Sequence, residues 1–205
     1  MPSIPHFDIV ELIQAVGYLG IFGIVFAESG VPIGFFLPGD SLLFAAGLLA
    51  SQGLLNIWVL IVFIPIAAIL GDNFGYWFGA KVGPKIFTRE DSFFFHKKHI
   101  ERTRAFYAKY GNKAIVLSRF IPVVRTFTPI LAGVGQMPYK TFLAYNILGG
   151  LLWGVGMTLL GYFLGTIVPN IEQYLLPIIL VIIVVSFFPI IYEVIKHRKG
   201  DHSTN

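Results

Sequence analysis

Five charged residues lie within or beside long apolar stretches of this sequence, and their side chains are the ones that could do chemistry. They are Glu28, Asp40, Asp72, Arg119 and Arg125. In a membrane-spanning segment a charge costs about 2.5–3.5 kcal/mol on the mildest scale. We therefore expect these side chains to face a cavity and to pair with one another, with water or with a substrate. Asp72 has the simplest alternative explanation, a position near the cytoplasmic end of a helix.

The two arginines are suited to binding a phosphate group. A guanidinium is planar, permanently charged and donates hydrogen bonds in pairs. Arg119 and Arg125 are six residues apart, so both could grip one phosphate. Glu28 and Asp40 could neutralise them while the site is empty. Together with Asp72, these acids form the set that we expect to take part in ion pairs or proton coupling.

The composition indicates a polytopic membrane protein. Hydrophobic residues make up 56% of the 205 residues, charged residues make up 13%, and the mean hydropathy is +0.76. A soluble domain has roughly 45–50% apolar and roughly 25% charged residues. An ordinary soluble globular enzyme and a disordered chain are therefore excluded. The absence of cysteine also excludes disulfides, thiolate catalysis and cysteine-ligated metal sites.

Nothing in the sequence points to catalysis. It contains no HExxH, GxSxG, Walker A or GxGxxG motif. No nucleophile is spaced near a general base within the apolar segments. We therefore expect no enzymatic activity, no catalytic residue, no metal and no cofactor.

The charges are distributed unevenly, although the net charge is only +4. Residues 1–80 contain no Lys or Arg and five acids, whereas residues 81–140 contain 12 basic and three acidic residues. By the positive-inside rule, Lys81–Lys113 and the tail from Lys196 should be cytoplasmic. We expect a multi-pass protein of the bacterial cytoplasmic (inner) membrane. A soluble nucleic-acid-binding protein is excluded because the flanks of the basic region are too apolar.

Uncharged apolar runs predict four full transmembrane helices, since about 20 apolar residues are needed to span a bilayer. The predicted spans are at about 10–27, 55–80, 141–166 and 175–194. The basic segment contains a predicted amphipathic helix, Thr88–Tyr110, on the cytoplasmic membrane surface. The three tryptophans are interpreted as interface or packing aromatics; they are Trp58, Trp77 and Trp153.

Two further apolar segments, 28–50 and 114–137, contain charges, Pro and Gly. Irregular backbone at membrane depth is tolerated only inside protein or along a wet cavity. We therefore predict a re-entrant hairpin in each segment, and an ordinary Pro-kinked span is the alternative. The residues expected to act as hairpin hinges are Pro38, Gly39, Pro122, Pro129 and Gly133.

A faint internal repeat relates the two halves of the chain at an offset of 86 residues. Ala46-Gly47 corresponds to Ala132-Gly133, and Gly75-Tyr76-x-Phe78-Gly79 corresponds to Gly161-Tyr162-x-Leu164-Gly165. Each half then consists of a hairpin and a span, in opposite orientations. Inverted repeats with broken helices that meet at mid-membrane are typical of transporters.

We predict a single all-α membrane domain. Its architecture is an inverted repeat with two opposing re-entrant helical hairpins and about four full transmembrane helices. In chain order, residues 1–205 comprise a first repeat (10–80), the cytoplasmic amphipathic segment (81–113), a second repeat (114–166), a last transmembrane helix (175–194) and a cytoplasmic tail (196–205).

Four sequence blocks, in order along about residues 30–155, resemble the DedA family, the bacterial members of the VTT-domain (SNARE-associated) membrane proteins. The blocks are Glu28-Ser29-Gly30-x-Pro32 with Phe36-Leu37-Pro38-Gly39-Asp40; Gly71-Asp72-Asn73-x-Gly75-Tyr76-x-x-Gly79; Ser118-Arg119-Phe120-Ile121-Pro122-x-Val124-Arg125-Thr126-x-x-Pro129 with Ala132-Gly133; and Asn146-x-x-Gly149-Gly150-x-x-Trp153. The third block is the most specific. In the first block the family often has Glu where this chain has the shorter Asp40.

The resemblance implies two re-entrant hairpins that face each other and a role in moving lipids between leaflets. The implied cargo is undecaprenyl phosphate or a phospholipid such as phosphatidylethanolamine, and proton coupling and membrane-potential homeostasis are further implications. The family's membrane acids and arginines match Glu28, Asp40, Arg119 and Arg125. The expected partners are therefore a lipid with a phosphate headgroup and the bilayer. A homo-oligomer is left open, and no nucleic acid is expected.

Three functions are weighed on this basis. The first is a flippase or scramblase for a phosphate-bearing lipid, and the second is a proton-coupled transporter of small cations or drugs. The third is a membrane lipid phosphatase, but the apolar segments contain neither a placed nucleophile nor a general-base His. An anionic cargo explains two arginines in one hairpin, whereas a cationic cargo does not. We therefore favour the lipid translocase.

Overall fold

The computed structural model describes residues 9–32, 34, 37–86, 105 and 107–168. The helices that build the site are α1 (Ile9–Gly30), α2 (Gly39–Ser51), α3 (Ile57–Ile86), α4 (Ala114–Ser118), α5 (Pro122–Val134) and α6 (Tyr139–Ile167). A short 3-10 helix, Gly111–Lys113, precedes α4. No β-strand occurs in the described residues, so the predicted all-α class is confirmed for that part of the chain.

Helices α3 and α6 are the candidate membrane-spanning elements among the described residues. Ile57–Lys81 in α3 and Tyr139–Ile167 in α6 are long and apolar enough to cross a bilayer, which agrees with the predicted spans there. Large apolar side chains such as Trp58 and Leu160 are exposed along them, as expected of surfaces that face lipid. The predicted last helix 175–194, the tail 196–205 and most of the segment 81–113 lie outside the described residues.

Helix α1 extends further than the sequence predicts. It continues without interruption through Glu28 and ends at Gly30. The helix therefore ends three residues beyond the predicted boundary at about residue 27, while the span and the hairpin stay predictions. The physical reason is that Glu is a good helix former, whereas the residue that stops the helix is Pro32, which has no N–H and disfavours helical geometry in the residue before it.

The first helix break separates α1 from α2. Val31 N–H still donates to the carbonyl of Ala27 at 2.9 Å, as the last helical bond of α1. Regular helix resumes at Gly39, directly after the N-cap residue Pro38. Both of these predicted hinges therefore lie at the break.

The second helix break separates α4 from α5 at residues 119–121. Ile121 is extended, with φ −128° and ψ 104°, and Pro122 is the first residue of α5. Proline is tolerated there because the first N–H groups of a helix have no intrahelical partner. Pro129 and Gly133 lie inside α5 rather than at the break, and their role as hinges stays a prediction. The helix accepts Pro129 at the cost of one backbone bond, and Gly133 serves close packing.

Helix α6 runs antiparallel to α3. Asn146, in the second turn of α6, hydrogen-bonds to the carbonyl of Ile69. Gly154, further along α6, lies against Pro65, which comes earlier in α3. The two long helices thus form an antiparallel pair on which the broken segments are arranged.

Helix α1 runs alongside α3 in the same direction. Near the start of α3, the backbone N–H of Asn56 donates to the hydroxyl of Tyr18 at 2.6 Å. Gly30, at the end of α1, approaches the backbone of Gly71 so closely that a methyl group there would collide with it. The first break therefore lies beside the middle of α3 rather than at its end.

In each half of the chain, the helix that follows the break packs on the long helix of the other half. Helix α2 lies along α6, and α5 lies along α3. A methyl group at Gly47 would collide with the backbone of Tyr162, and one at Gly133 would collide with the backbone of Tyr76. These two contacts are equivalent under the offset of 86 residues. We call this arrangement the crossed packing.

The crossed packing makes a prediction about two glycines of α6. We expect Gly161→Ala to lower thermal stability, because its methyl group would overlap the backbone carbonyl of Phe44 on α2, and overpacking typically costs about 1–3 kcal/mol. Gly156→Ala is the matched control, since nothing lies within 4 Å of a Cβ at that position. Thermal unfolding of the detergent-purified variants measures both, and equal midpoints would contradict the packing.

Candidate functional site

Arg125, in the first turn of α5, is the centre of a buried charge cluster. Its Nη2 is paired with the Glu28 carboxylate of α1, and its Nη1 lies 3.0 Å from Asp40 Oδ1 of α2. Its guanidinium carbon lies 4.7 Å from the ring centre of Trp153 on α6. The indole N–H of Trp153 donates to the same Asp40 Oδ1 at 2.6 Å. Four helices therefore contribute one side chain each to this Arg125 cluster.

Arg119, in the second break, forms a neighbouring cluster with α3 and α6. Its Nη2 donates to Asp72 Oδ2 and to Asn146 Oδ1, each at 2.5 Å. Asn146 is oriented by its own amide N–H, which donates to the carbonyl of Ile69 at 3.1 Å. Asp72, Arg119 and Asn146 form the Arg119 cluster. The backbone carbonyl of Arg119 accepts from Arg125 Nη1 at 3.5 Å and so joins the two clusters.

The two helix breaks position these charges. Glu28 and Asp40 flank the first break, while Arg119 and Arg125 lie in and just after the second. Gly39 leaves the space that the Glu28 carboxylate occupies, because a Cβ there would overlap Glu28 Oε2. All three salt bridges join an acid of the first half to an arginine of the second half.

The charged side chains differ sharply in exposure. The Glu28, Asp72, Arg119 and Arg125 side chains are at most 3% exposed, whereas that of Asp40 is 39% exposed. A buried charge is tolerated only when it is paired and hydrogen-bonded, and the salt bridges meet that requirement. Asp40 is therefore the member of the clusters that solvent or a ligand can reach.

The clusters retain capacity for a further ligand. Within the described part of the chain, Nε and Nη1 of Arg119 and Nε of Arg125 have no hydrogen-bond partner. A buried donor without a partner costs about 1–3 kcal/mol. Three carboxylates also face two guanidinium groups, which leaves a formal charge of −1 when all are ionised. The arrangement can thus bind an anion at the arginines and a proton at the acids.

The structure brings all five of the charged residues singled out in the sequence into the two clusters. Asp72 is not at the end of a helix, so the alternative explanation for it is wrong: it is buried and pairs with Arg119, 47 positions along the chain. Trp58 and Trp77 are exposed on α3, as expected of interface aromatics. Trp153 is buried against charged groups, and neither it nor Asn146 was predicted as a site residue.

Comparison with known proteins identifies the family. The family model described as the VTT domain matches residues 37–163. Protein DedA of Escherichia coli K12 is 44% identical over 202 residues, which cover 95% of this chain and 92% of that protein. An uncharacterized membrane protein of Mycobacterium leprae is 46% identical over 81% of this chain and 74% of its own length. No solved structure matches the chain. Because the family model covers most of the chain and the similarity to DedA covers nearly all of it, the chain belongs to the DedA family of VTT-domain membrane proteins.

Proposed function

We propose that this protein moves a phosphate-bearing lipid from one membrane leaflet to the other without changing it chemically. The proposed cargo is undecaprenyl phosphate or a phospholipid such as phosphatidylethanolamine. The observation that carries the proposal is the pairing of the buried Arg125 with Asp40, a carboxylate that is 39% exposed. A phosphate can replace a carboxylate on arginine, because both present oxygen atoms that suit the planar fork of the guanidinium.

In this proposal the acids hold the arginines in place until the cargo arrives. Asp40 is displaced first, because its side chain reaches solvent while Glu28 is buried behind Arg125. The headgroup phosphate then accepts from Arg125 Nη1. The unpaired N–H groups of Arg119 supply further donors once the phosphate has entered between the breaks.

The charge balance favours coupling to protons. A phosphate adds negative charge to a set of side chains in which three acids already face two arginines. Protonation of one acid offsets this added charge. We therefore expect one acid to be protonated when the phosphate binds and to release its proton when the phosphate leaves.

We also propose that both breaks lie inside the bilayer, as re-entrant hairpins, and that the Lys81 end of α3 is cytoplasmic. The natural chain has no cysteine, so single cysteines report the orientation. Asn56 and Lys140 are exposed at opposite ends of the α3–α6 pair. We expect a membrane-impermeant maleimide to label Asn56→Cys in intact cells and to leave Lys140→Cys unlabelled until the cells are lysed. External labelling of Lys140→Cys would reverse the orientation.

Transport by purified protein in liposomes tests the function. Labelled undecaprenyl phosphate and labelled phosphatidylethanolamine are placed in both leaflets, and a leaflet-selective quencher follows the exchange of each. We expect exchange of at least one of them to exceed that in protein-free liposomes. Lys140→Gln is a matched control that removes an exposed cation outside the clusters and should exchange lipid normally. Rates equal to those of protein-free liposomes for both lipids would overturn the proposal.

A second candidate is a proton-coupled transporter of small cations or drugs. The excess of one acid over the arginines favours it, because a cation would neutralise the clusters. In the same liposomes, an imposed pH gradient with a lumenal pH dye separates the two functions. Proton flux that depends on an added cation and persists without any phosphate-bearing lipid would favour this candidate over the lipid translocase.

A further inference from the structure

Trp153 contacts both partners of the exposed salt bridge. Its indole N–H donates to Asp40 Oδ1 at 2.6 Å, and that oxygen also accepts from Arg125 Nη1 at 3.0 Å. Its ring face lies 4.7 Å from the guanidinium carbon of Arg125, within the range of a cation–π interaction. The edge of the Trp153 ring thus contacts the carboxylate of Asp40, and the face of the ring contacts the guanidinium of Arg125.

These contacts go beyond the needs of core packing. Trp153 is 1% exposed, and its apolar atoms join a hydrophobic cluster that includes Ile64 and Ala68 of α3. A Leu or Phe could fill much of that space, but neither offers an N–H donor. A buried indole N–H needs a hydrogen-bond partner, and here the partner is the half-exposed carboxylate of the charge cluster.

We propose that Trp153 is a positioning residue that keeps Arg125 and Asp40 in place while their salt bridge is open. The inference rests on the proposed function, in which a lipid phosphate takes the place of Asp40 on Arg125. The ring face holds the guanidinium, so that Arg125 does not follow the departing acid. The indole N–H holds the Asp40 carboxylate nearby, so that it can return when the phosphate leaves.

Substitution should therefore separate the two contacts of Trp153, which are the N–H donor to Asp40 and the ring face against Arg125. Trp153→Phe keeps an aromatic face for Arg125 and loses the N–H donor, whereas Trp153→Leu loses both. In both variants the Asp40 carboxylate therefore loses the N–H group that holds it beside Arg125. Asp40 also faces Arg125 of α5 and Glu28 of α1, and both are unchanged in the two variants.

Lipid exchange in liposomes, measured against lipid density, tests the separation. The apparent KM for the phosphate-bearing lipid should rise by about tenfold in Trp153→Leu and much less in Trp153→Phe. Equal apparent KM values in the two variants would mean that Trp153 only fills space.

Tryptophan fluorescence provides a second test that does not depend on transport or on a destabilised variant. Trp58→Phe with Trp77→Phe leaves Trp153 as the only tryptophan, and both replaced residues are exposed on α3. We expect dihexanoyl phosphatidate to change the Trp153 emission in a saturable way, and dihexanoylglycerol, which lacks the phosphate, to leave it unchanged. The response should disappear when Arg125→Gln is combined with Glu28→Gln, which leaves no unpaired buried charge in that contact.

The outcomes separate this inference from the proposed function. If the wild-type protein exchanges lipid and dihexanoyl phosphatidate leaves the Trp153 emission unchanged, the function stands and the role of Trp153 is overturned. If the protein exchanges no phosphate-bearing lipid at all, the proposed function fails first. A saturable response to dihexanoylglycerol would show that the indole senses acyl chains rather than phosphate, and would also overturn the inference.

Discussion

Replacing Arg125 and Glu28 together should give a protein that folds, reaches the membrane and transports nothing. Both side chains are 2% exposed and paired with each other. Removing one partner of such a pair leaves an uncompensated buried charge, which costs about 3–5 kcal/mol. Arg125→Gln alone should therefore express poorly. With Glu28→Gln added, no buried charge remains unpaired in this contact and expression should recover.

Transport should nevertheless stay absent in that double variant, because the Arg125 guanidinium that first binds the phosphate is gone. The matched comparison is Arg125→Lys, which keeps the charge but loses the planar fork. One lost charge-assisted hydrogen bond is worth about 1.5–3 kcal/mol, so lipid binding should weaken by about tenfold or more. Membrane abundance and liposome exchange are measured for each variant. Near-wild-type exchange by Arg125→Gln with Glu28→Gln would mean that Arg125 is a structural brace.

Removing the Asp72 carboxylate should destabilise the protein far more than removing that of Asp40. Asp72 is the carboxylate partner of Arg119, and both side chains are at most 3% exposed. Asp72→Ala leaves Arg119 with Asn146 as its remaining side-chain partner among the described contacts, at an expected cost of about 3–5 kcal/mol. Asp40→Ala should cost much less, because solvent reaches that side chain. Thermal unfolding in detergent compares the two.

A compensating change separates stability from transport at this second pair. Asp72→Leu with Arg119→Met replaces the ion pair by apolar side chains, which is often neutral or stabilising for a buried pair. The unfolding midpoint should return towards that of the wild type. If the unpaired donors of Arg119 also contact the phosphate, exchange should remain impaired in this stable variant. Full recovery of exchange would remove Arg119 from the lipid site and leave it a purely structural role.

The sequence was sufficient to single out the charges that the structure brings together, but not to say which acid pairs with which arginine. A charged residue within an apolar segment can be identified from the sequence alone. The partner of each one depends on the crossed packing, which joins Arg125 to Glu28 across 97 positions and to Asp40 across 85. No local pattern specifies contacts at that separation. The same limit explains why Asp72 was expected near the end of a helix, since its burial depends on what packs against α3.

The residues missed on α6 did have a local signal. Asn146, Gly149, Gly150 and Trp153 follow the spacing i, i+3, i+4, i+7, which places them on one face of a helix. A methyl group at Gly149 would collide with the Arg119 side chain, so Arg119 packs against this face of α6. A polar residue, two glycines and a tryptophan at this spacing could therefore have been interpreted as a surface facing the charged break.

The crossed packing has a consequence for how the protein is made. Synthesis proceeds from the N-terminus, so α2 leaves the ribosome long before α6, and the tryptophan that Asp40 contacts is added 113 positions later. During that interval the face of α2 around Gly47 has no helix to pack against, and Glu28 and Asp40 have no arginine to pair with. Until the second half is made, the acids of the first half must therefore be protonated or hydrated in the translocon or the bilayer. The first half becomes a finished structure only when the last described helix has been inserted.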